Sequence, residues 1–104
     1  MTNEQKYEIH ADLCKNLNDT YKAKNNDYGD SFAEMRKEYP NAILIRIHDK
    51  YARLKQLMSG IEQQVNDESI EDTLMDLANY CIMELVERER DKHSTELIVG
   101  ETDE

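Results

Sequence analysis

Three carboxylates recur at four-residue intervals in the last third of the chain: Glu68, Asp72 and Asp76. On a helix of 3.6 residues per turn they share one face. Such a face supplies oxygen ligands for Mg²⁺, which takes one or two protein carboxylates and completes its octahedron with water and substrate phosphates. A cation held this way polarises a phosphate and activates water. The plainer alternative is a solvated acidic face. Upstream, Arg46, Lys50 and Arg53 form a cationic stripe with Asp49 nearby. Those cations can pair with the acidic stripe, the default for such neighbours, or hold phosphate oxygens. A third constellation is Lys24-Asn25-Asn26-Asp27-Tyr28-Gly29-Asp30-Ser31. It reads either as a turn with its capping residues or as a loop dense enough in hydrogen-bonding groups to meet a base or sugar. No Gly-rich phosphate loop, HExxH, GxSxG or Ser/His/Asp pattern accompanies them.

The elements that must position these groups are helices. One proline, three glycines and no turn-rich stretch leave little room for a sheet. The capping box Thr2/Gln5 opens a first helix to about Lys24, with Ile9, Leu13, Leu17 and Tyr21 on one narrow stripe. Ser31 with Glu34 can cap a short helix, 31–38, that ends before Pro40. A third helix runs from Asn41 to Ser59 and closes on Gly60, with Leu44, Ile47, Tyr51, Leu54 and Met58 as the expected packing seam. The longest, Asp67 to about Glu89, is capped by Ser69 with Asp72 or by Asp67. It carries Ile70, Leu74, Leu77, Cys81 and Leu85 opposite the acidic stripe, with Asn79 on the polar side and Met83 beyond it. Because large apolar groups edge that stripe, it is expected to line a cleft or an interface. The expected architecture is all-α: a small antiparallel bundle of three main helices and one short one, completed by oligomerisation. Residues 1–93 form the domain and 94–104 an acidic, flexible tail.

Charge narrows the partners. Residues 1–66 carry ten acids and ten bases, whereas residues 67–104 carry thirteen acids and three bases, so the whole net charge of −10 lies in the last helix and tail. Duplex nucleic acid and anionic membrane are repelled from that half, while a metal, or a ligand arriving with one, is not. Cys14 and Cys81 form no CxxC motif and sit at positions suited to buried, reduced thiols. His10 and His48 read as surface residues. No apolar run has signal or membrane-span length, so a cytoplasmic protein is expected.

Three blocks together, KNNDYGDSF at 24–32, IRIHDKYARL at 45–54 and DESIEDTLMDLANYCIMEL at 67–85, carry a resemblance. They resemble the phage and bacterial family known as nucleotide modification associated domain 1. Its Asn-x-Asp-Tyr-Gly, Lys-x-x-Arg and Asp-x-x-Asn-Tyr motifs correspond to Asn25, Asp27, Tyr28 and Gly29, to Lys50 and Arg53, and to Asp76, Asn79 and Tyr80. The last block is also similar to the third helix of MazG-like all-α nucleoside triphosphate pyrophosphohydrolases, in which two acidic helices hold Mg²⁺ and water cleaves the triphosphate. The chain departs from that pattern: Thr73 stands where a glutamate is expected, and 48–53 reads His-Asp-Lys-Tyr-Ala-Arg where the other acidic motif belongs. What the resemblance implies is a MazG-like domain for a nucleotide or modified deoxynucleotide, in host cytoplasm if phage-encoded. In that reading Asp49, Glu68, Asp72 and Asp76 hold Mg²⁺, Asp72 and Asp76 being catalytic, and Lys50 and Arg53 meet phosphates. Lys24, Asn25, Asp27, Tyr28 and Asn79 meet base or sugar. The alternatives are a non-catalytic nucleotide binder and a helical protein-interaction or inhibitor module. The small core predicts a homodimer or homotetramer.

Overall fold

The computed structural model describes residues 1–62 and 69–102, with side chains up to Ser94, so Glu68 and the capping role of Asp67 lie outside the described residues. The chain is all-α, in the order α1 (Asn3–Tyr28), α2 (Ser31–Glu38), α3 (Ala42–Met58) and α4 (Ile70–Thr102). Among the described residues no helix is long and apolar enough to cross a membrane.

Local chemistry accounts for the ends. Thr2 caps α1 reciprocally: its Oγ1 accepts from the Gln5 amide at 3.2 Å and its own amide donates to Gln5 Oε1 at 2.9 Å. The helix then runs four residues beyond its expected end at Lys24. Asn25, Asn26 and Asp27 are weak helix formers but not stoppers. The break comes at Gly29, whose φ of 69° and ψ of −167° suit glycine alone. The expected Ser31/Glu34 cap does not form, since Asp30 occupies the N-cap of α2 and makes no side-chain cap bond. Gly60, at φ 82°, follows α3 as expected. Ser69 and Asp72 close a capping box on α4, at 3.0 and 3.3 Å, which settles the choice between the two caps.

The most extensive helix pairing among the described residues is that of α3 with α4. Lys50 meets Asp76 at 3.1 Å, and Arg46 lies 5.7 Å from the centre of the Tyr80 ring. One number falls as the other rises, so the two helices are antiparallel. α2 is clamped to α4 by Arg36, which donates to both carboxylate oxygens of Glu84 at 2.9 and 3.1 Å and to Asp91 at 3.2 Å. α1 leans more lightly on α4, tied where Asn79 Nδ2 donates to the Leu17 carbonyl at 3.1 Å.

The face that α3 turns inward differs from the expected seam. Ile43 is buried and Arg46, Ile47, Lys50, Arg53, Leu54 and Leu57 are half-buried, while Leu44, Tyr51 and Met58 stay exposed. On α4 the inward line is Thr73, Tyr80, Glu84 and Glu87, and Leu74, Cys81 and Leu85 are exposed. The physical reason is ionic: Lys50–Asp76 and Arg36–Glu84 form only if these polar lines face inward. The same rotation leaves the Cys81 thiol exposed, and Cys14 is exposed too, against the expectation of buried thiols. Among the described residues the buried apolar side chains are Leu17, Phe32, Ala33, Ala42 and Ile43, a small interior for a chain of 104 residues.

Candidate functional site

Continuing α1 to Tyr28 puts Tyr21, Lys24, Asn25 and Tyr28 on one helical face, one, two and three turns after Leu17. That face, the start of α2 and the inward lines of α3 and α4 enclose a cavity of 410 Å³. Its wall is largely aromatic and thioether: Tyr21, Tyr28, Phe32, Met35, Tyr80 and Met83. The Phe32 and Tyr80 ring centres lie 6.3 Å apart with planes tilted by 42°. Polar groups enter from Lys24, Asn25, Ser31, Arg46, Asp76 and Asn79.

A second, more polar cavity of 490 Å³ adjoins it, lined by Leu17, Thr20, Lys50, Asp72, Met75, Asp76 and Asn79. Asp76 and Asn79 line both, so the two are chambers of one cleft divided by adjacent turns of α4. Each chamber has the volume of a small-ligand pocket, mostly apolar in the first with a few convergent polar groups. The cleft carries three cations, Lys24, Arg46 and Lys50, against two carboxylates, Asp72 and Asp76. In a chain of net charge −10, this is where an anion is welcome.

Of the residues proposed from sequence, Lys24, Asn25 and Tyr28 line the aromatic chamber, Lys50 and Asp72 the polar one, and Asp76 and Asn79 both. Asp27, Asp49 and Arg53 line neither. Asp27 is exposed and its amide neighbour Asn26 reaches it at 3.4 Å; Asp49 is exposed on α3. Asp72 Oδ2 accepts from the Ser69 amide and Asp76 Oδ2 from Lys50, and both side chains line the polar chamber. Among the described residues no three His, Cys, Asp or Glu side chains gather closely enough to hold a metal on their own. A carboxylate pair is still within the protein share that Mg²⁺ takes when phosphates and water complete its shell.

Sequence reasoning missed Phe32 and Met35 as site residues, took Tyr80 only as part of a family motif, and named Arg46 only within the cationic stripe that could hold phosphate. Arg46 contacts Met35 Sδ at 3.6 Å and the Tyr80 ring, neither of them anionic. The signal was present, since Arg46 stands one turn before Lys50 and Tyr80 one turn after Asp76, on the same faces.

Fold and cleft define a small all-α domain with a two-chambered, cation-rich pocket. The model of the family nucleotide modification associated domain 1 matches residues 24–87, more than half of the chain, and the chain belongs to that family. The match takes in the last turn of α1, all of α2 and α3 and the part of α4 that lines the cleft, and begins at Lys24, the first cation of its wall. No curated protein and no solved structure matches it.

Proposed function

We propose that the chain binds a nucleotide across the two chambers, as a domain of phage or bacterial nucleotide metabolism or modification. The base sits in the aromatic chamber against Tyr80 and Phe32, and the phosphates run past Asp76 toward Lys50. The observation that carries this reading is the sharing of Asp76 and Asn79 by an aromatic and a charged chamber. Neither chamber alone asks for a ligand that is apolar at one end and anionic at the other. Lys24 and Arg46 neutralise phosphate charge at the mouth between them, the role in which a planar guanidinium is effective.

The reaction we propose is hydrolysis of a nucleoside triphosphate to monophosphate and pyrophosphate, in the manner of MazG-like enzymes. Asp72 and Asp76 would hold Mg²⁺, which supplies phosphate polarisation and an activated water. Lys50 takes phosphate oxygens, and its present bond to Asp76 then yields to the ligand. A second reading, binding without turnover, is favoured by one observation: both carboxylates already accept a bond, from Ser69 and from Lys50. The homo-oligomeric state, dimer or tetramer, and a cytoplasmic location belong to the same proposal.

The test is a thermal-shift panel of nucleoside mono-, di- and triphosphates and deoxynucleotides, with and without Mg²⁺. A ligand at a hundred times its dissociation constant adds about 2.7 kcal/mol. A Mg²⁺-dependent shift with pyrophosphate release supports the enzyme. A shift indifferent to Mg²⁺, without product, supports the binder. No shift anywhere in the panel overturns nucleotide binding itself.

A further inference from the structure

The antiparallel pair α3–α4 has two sides. Taking Lys50 and Tyr80 as the centres of the mutual contact and about 100° per residue, Leu44, Ile47, Tyr51, Leu54 and Met58 of α3 are all displaced in one rotational sense. Ile70, Leu74, Leu77, Cys81 and Leu85 of α4 are displaced in the same sense. Both helices are right-handed and they run oppositely, so equal displacements fall on the same side of the pair. The two stripes therefore make one apolar surface, facing away from the cleft. Glu84 falls within its angular range but is buried against Arg36; the exposed part holds no acid, and it is open: Leu44 and Leu85 are each 64 % exposed, Met58 60 % and Tyr51 56 %. α1 and α2 are engaged on the cleft side, through Leu17–Asn79 and Phe32–Tyr80.

We propose that this surface seats a second copy of the chain, the two α3–α4 pairs closing into a four-helix arrangement with α3 of each copy against α4 of the other. The interior described above is too small to be the whole hydrophobic core. A cover required for folding must be present in equal number wherever the chain is made, and another copy meets that condition. Charge fixes the stacking order. The outer edge of the surface on α3 carries Lys55, whose ammonium lies 5.4 Å from the centre of the Tyr51 ring. The outer edge on α4 carries the exposed Glu71. Counted from the Lys50–Asp76 contact, Lys55 is five residues forward on α3 and Glu71 five residues back on α4, so they stand at one height. Within a chain they lie at opposite edges. A two-fold axis parallel to the helices brings Lys55 of each copy beside Glu71 of the other; stacking α3 on α3 would keep the lysines and glutamates on opposite edges, with no such pair. The net negative charge of the chain lies in residues 67–104, and none of the ten side chains of the two stripes carries any of it. This inference deepens the homo-oligomer part of the proposal above and rests on it.

Sedimentation of the full chain at micromolar concentration should give at least twice the 12.2 kDa chain mass. Leu44→Glu and Leu85→Glu should each weaken association at least about ten-fold, whereas Leu13→Glu, on the outer half of α1, should not. Lys55→Glu and Glu71→Lys, both on the exposed rim and neutral to the inner packing, should each weaken it roughly three- to ten-fold, and the double variant should restore it. A monomeric wild type overturns both the oligomer and its surface. A dimer dissociated by Leu13→Glu but not by Leu85→Glu overturns the surface alone. A double variant as weak as the singles overturns the stacking of α3 on α4.

Discussion

Lys50 Nζ and Asp76 Oδ2 meet at 3.1 Å where α3 crosses α4, on the floor of the polar chamber. Their side chains keep 21 % and 37 % of their exposure, so the pair is reachable by ligand and worth little as a fastener. Exposed and half-exposed pairs of this kind contribute about 0.2–1 kcal/mol. Asp76→Ala and Lys50→Ala should therefore melt within a few degrees of the wild type. Their nucleotide affinity should fall much further, because hydrogen bonds to charged groups contribute about 1.5–3 kcal/mol, roughly ten- to a hundred-fold. Isothermal titration beside thermal melts separates the two effects. Unchanged affinity in both variants would falsify the assignment of the polar chamber to phosphate.

The clamp between α2 and α4 behaves in the opposite way. Arg36 and Glu84 retain only 14 % and 8 % of their side-chain exposure, and the guanidinium is bidentate. Removing one partner of such a buried pair costs about 3–5 kcal/mol, since the other is left uncompensated. Arg88, 2.7 Å from Glu84 Oε2, moderates the loss. Arg36→Ala should destabilise by about 3 kcal/mol in urea unfolding, more than any substitution at Lys50 or Asp76. It should also weaken ligand binding indirectly, because Phe32 and Met35 ride on the same helix. A loss under about 1 kcal/mol would show that the clamp is not holding α2.

The same clamp sets the response to acid. Burial pushes the Glu84 carboxyl up, but the Arg36 and Arg88 guanidiniums outweigh it and hold the group below its ordinary 4.5. Arg36, through its bond to Glu84 and against its own burial, is raised further above its already high ordinary value and stays charged. A carboxyl lowered in the folded state contributes stability that is fully present above its unfolded value and is lost as pH falls through the folded one. Wild type and Glu84→Gln should thus differ by a constant amount at pH well above 4.5 and converge as the pH falls below that value and through the lower folded-state one. The check is urea unfolding of both across that range. A difference that grows on raising the pH from neutral would contradict the sign.

Which parts of this were legible in the sequence follows from the range of the forces involved. The Thr2/Gln5 cap, the stop before Pro40 and the Gly60 terminus are decided within four residues, and local pattern reads them well, whereas the Ser69/Asp72 cap stood beside Asp67 as one of two candidates. The end of α1 was misplaced because Asn and Asp lower helix propensity without ending a helix, and only the φ of Gly29 does so. The inward face of α3 was misread for a different reason. Hydrophobic periodicity names the most apolar stripe, but Lys50 and Arg36 have carboxylate partners 26 and 48 residues away, and those long-range pairs turn the helix. The same blindness hid Phe32 and the ring-lined side of the cleft at Tyr80, which become site features only when α2, α3 and α4 converge. Asp76 and Asn79 were visible because their helix face is polar with apolar edges, which is what a cleft wall looks like from one strand of sequence.

Gly29 joins α1 to α2 and so sets the angle at which Tyr28 and Ser31 enter the aromatic chamber. With φ at 69° and ψ at −167° it sits where a side chain is strained by about 1–3 kcal/mol. A Cβ there would meet nothing within 4 Å, so the strain is the backbone's alone and no neighbour can relieve it by moving. Gly29→Ala should lower the melting temperature by roughly 5–15 °C and loosen nucleotide binding through Tyr28 and Ser31. Gly60 is the natural comparator: its φ of 82° follows a helix C-cap, a position where Asn substitutes for glycine at small cost. Gly60→Asn should be close to neutral, whereas Gly29→Asn should behave like Gly29→Ala, because the extended ψ of Gly29 lies outside the left-handed helical well that Asn tolerates. Melting curves of the four proteins, with and without ligand, decide it. If Gly29→Asn melts with the wild type, the turn between α1 and α2 adopts another conformation in solution and the aromatic chamber must be redrawn.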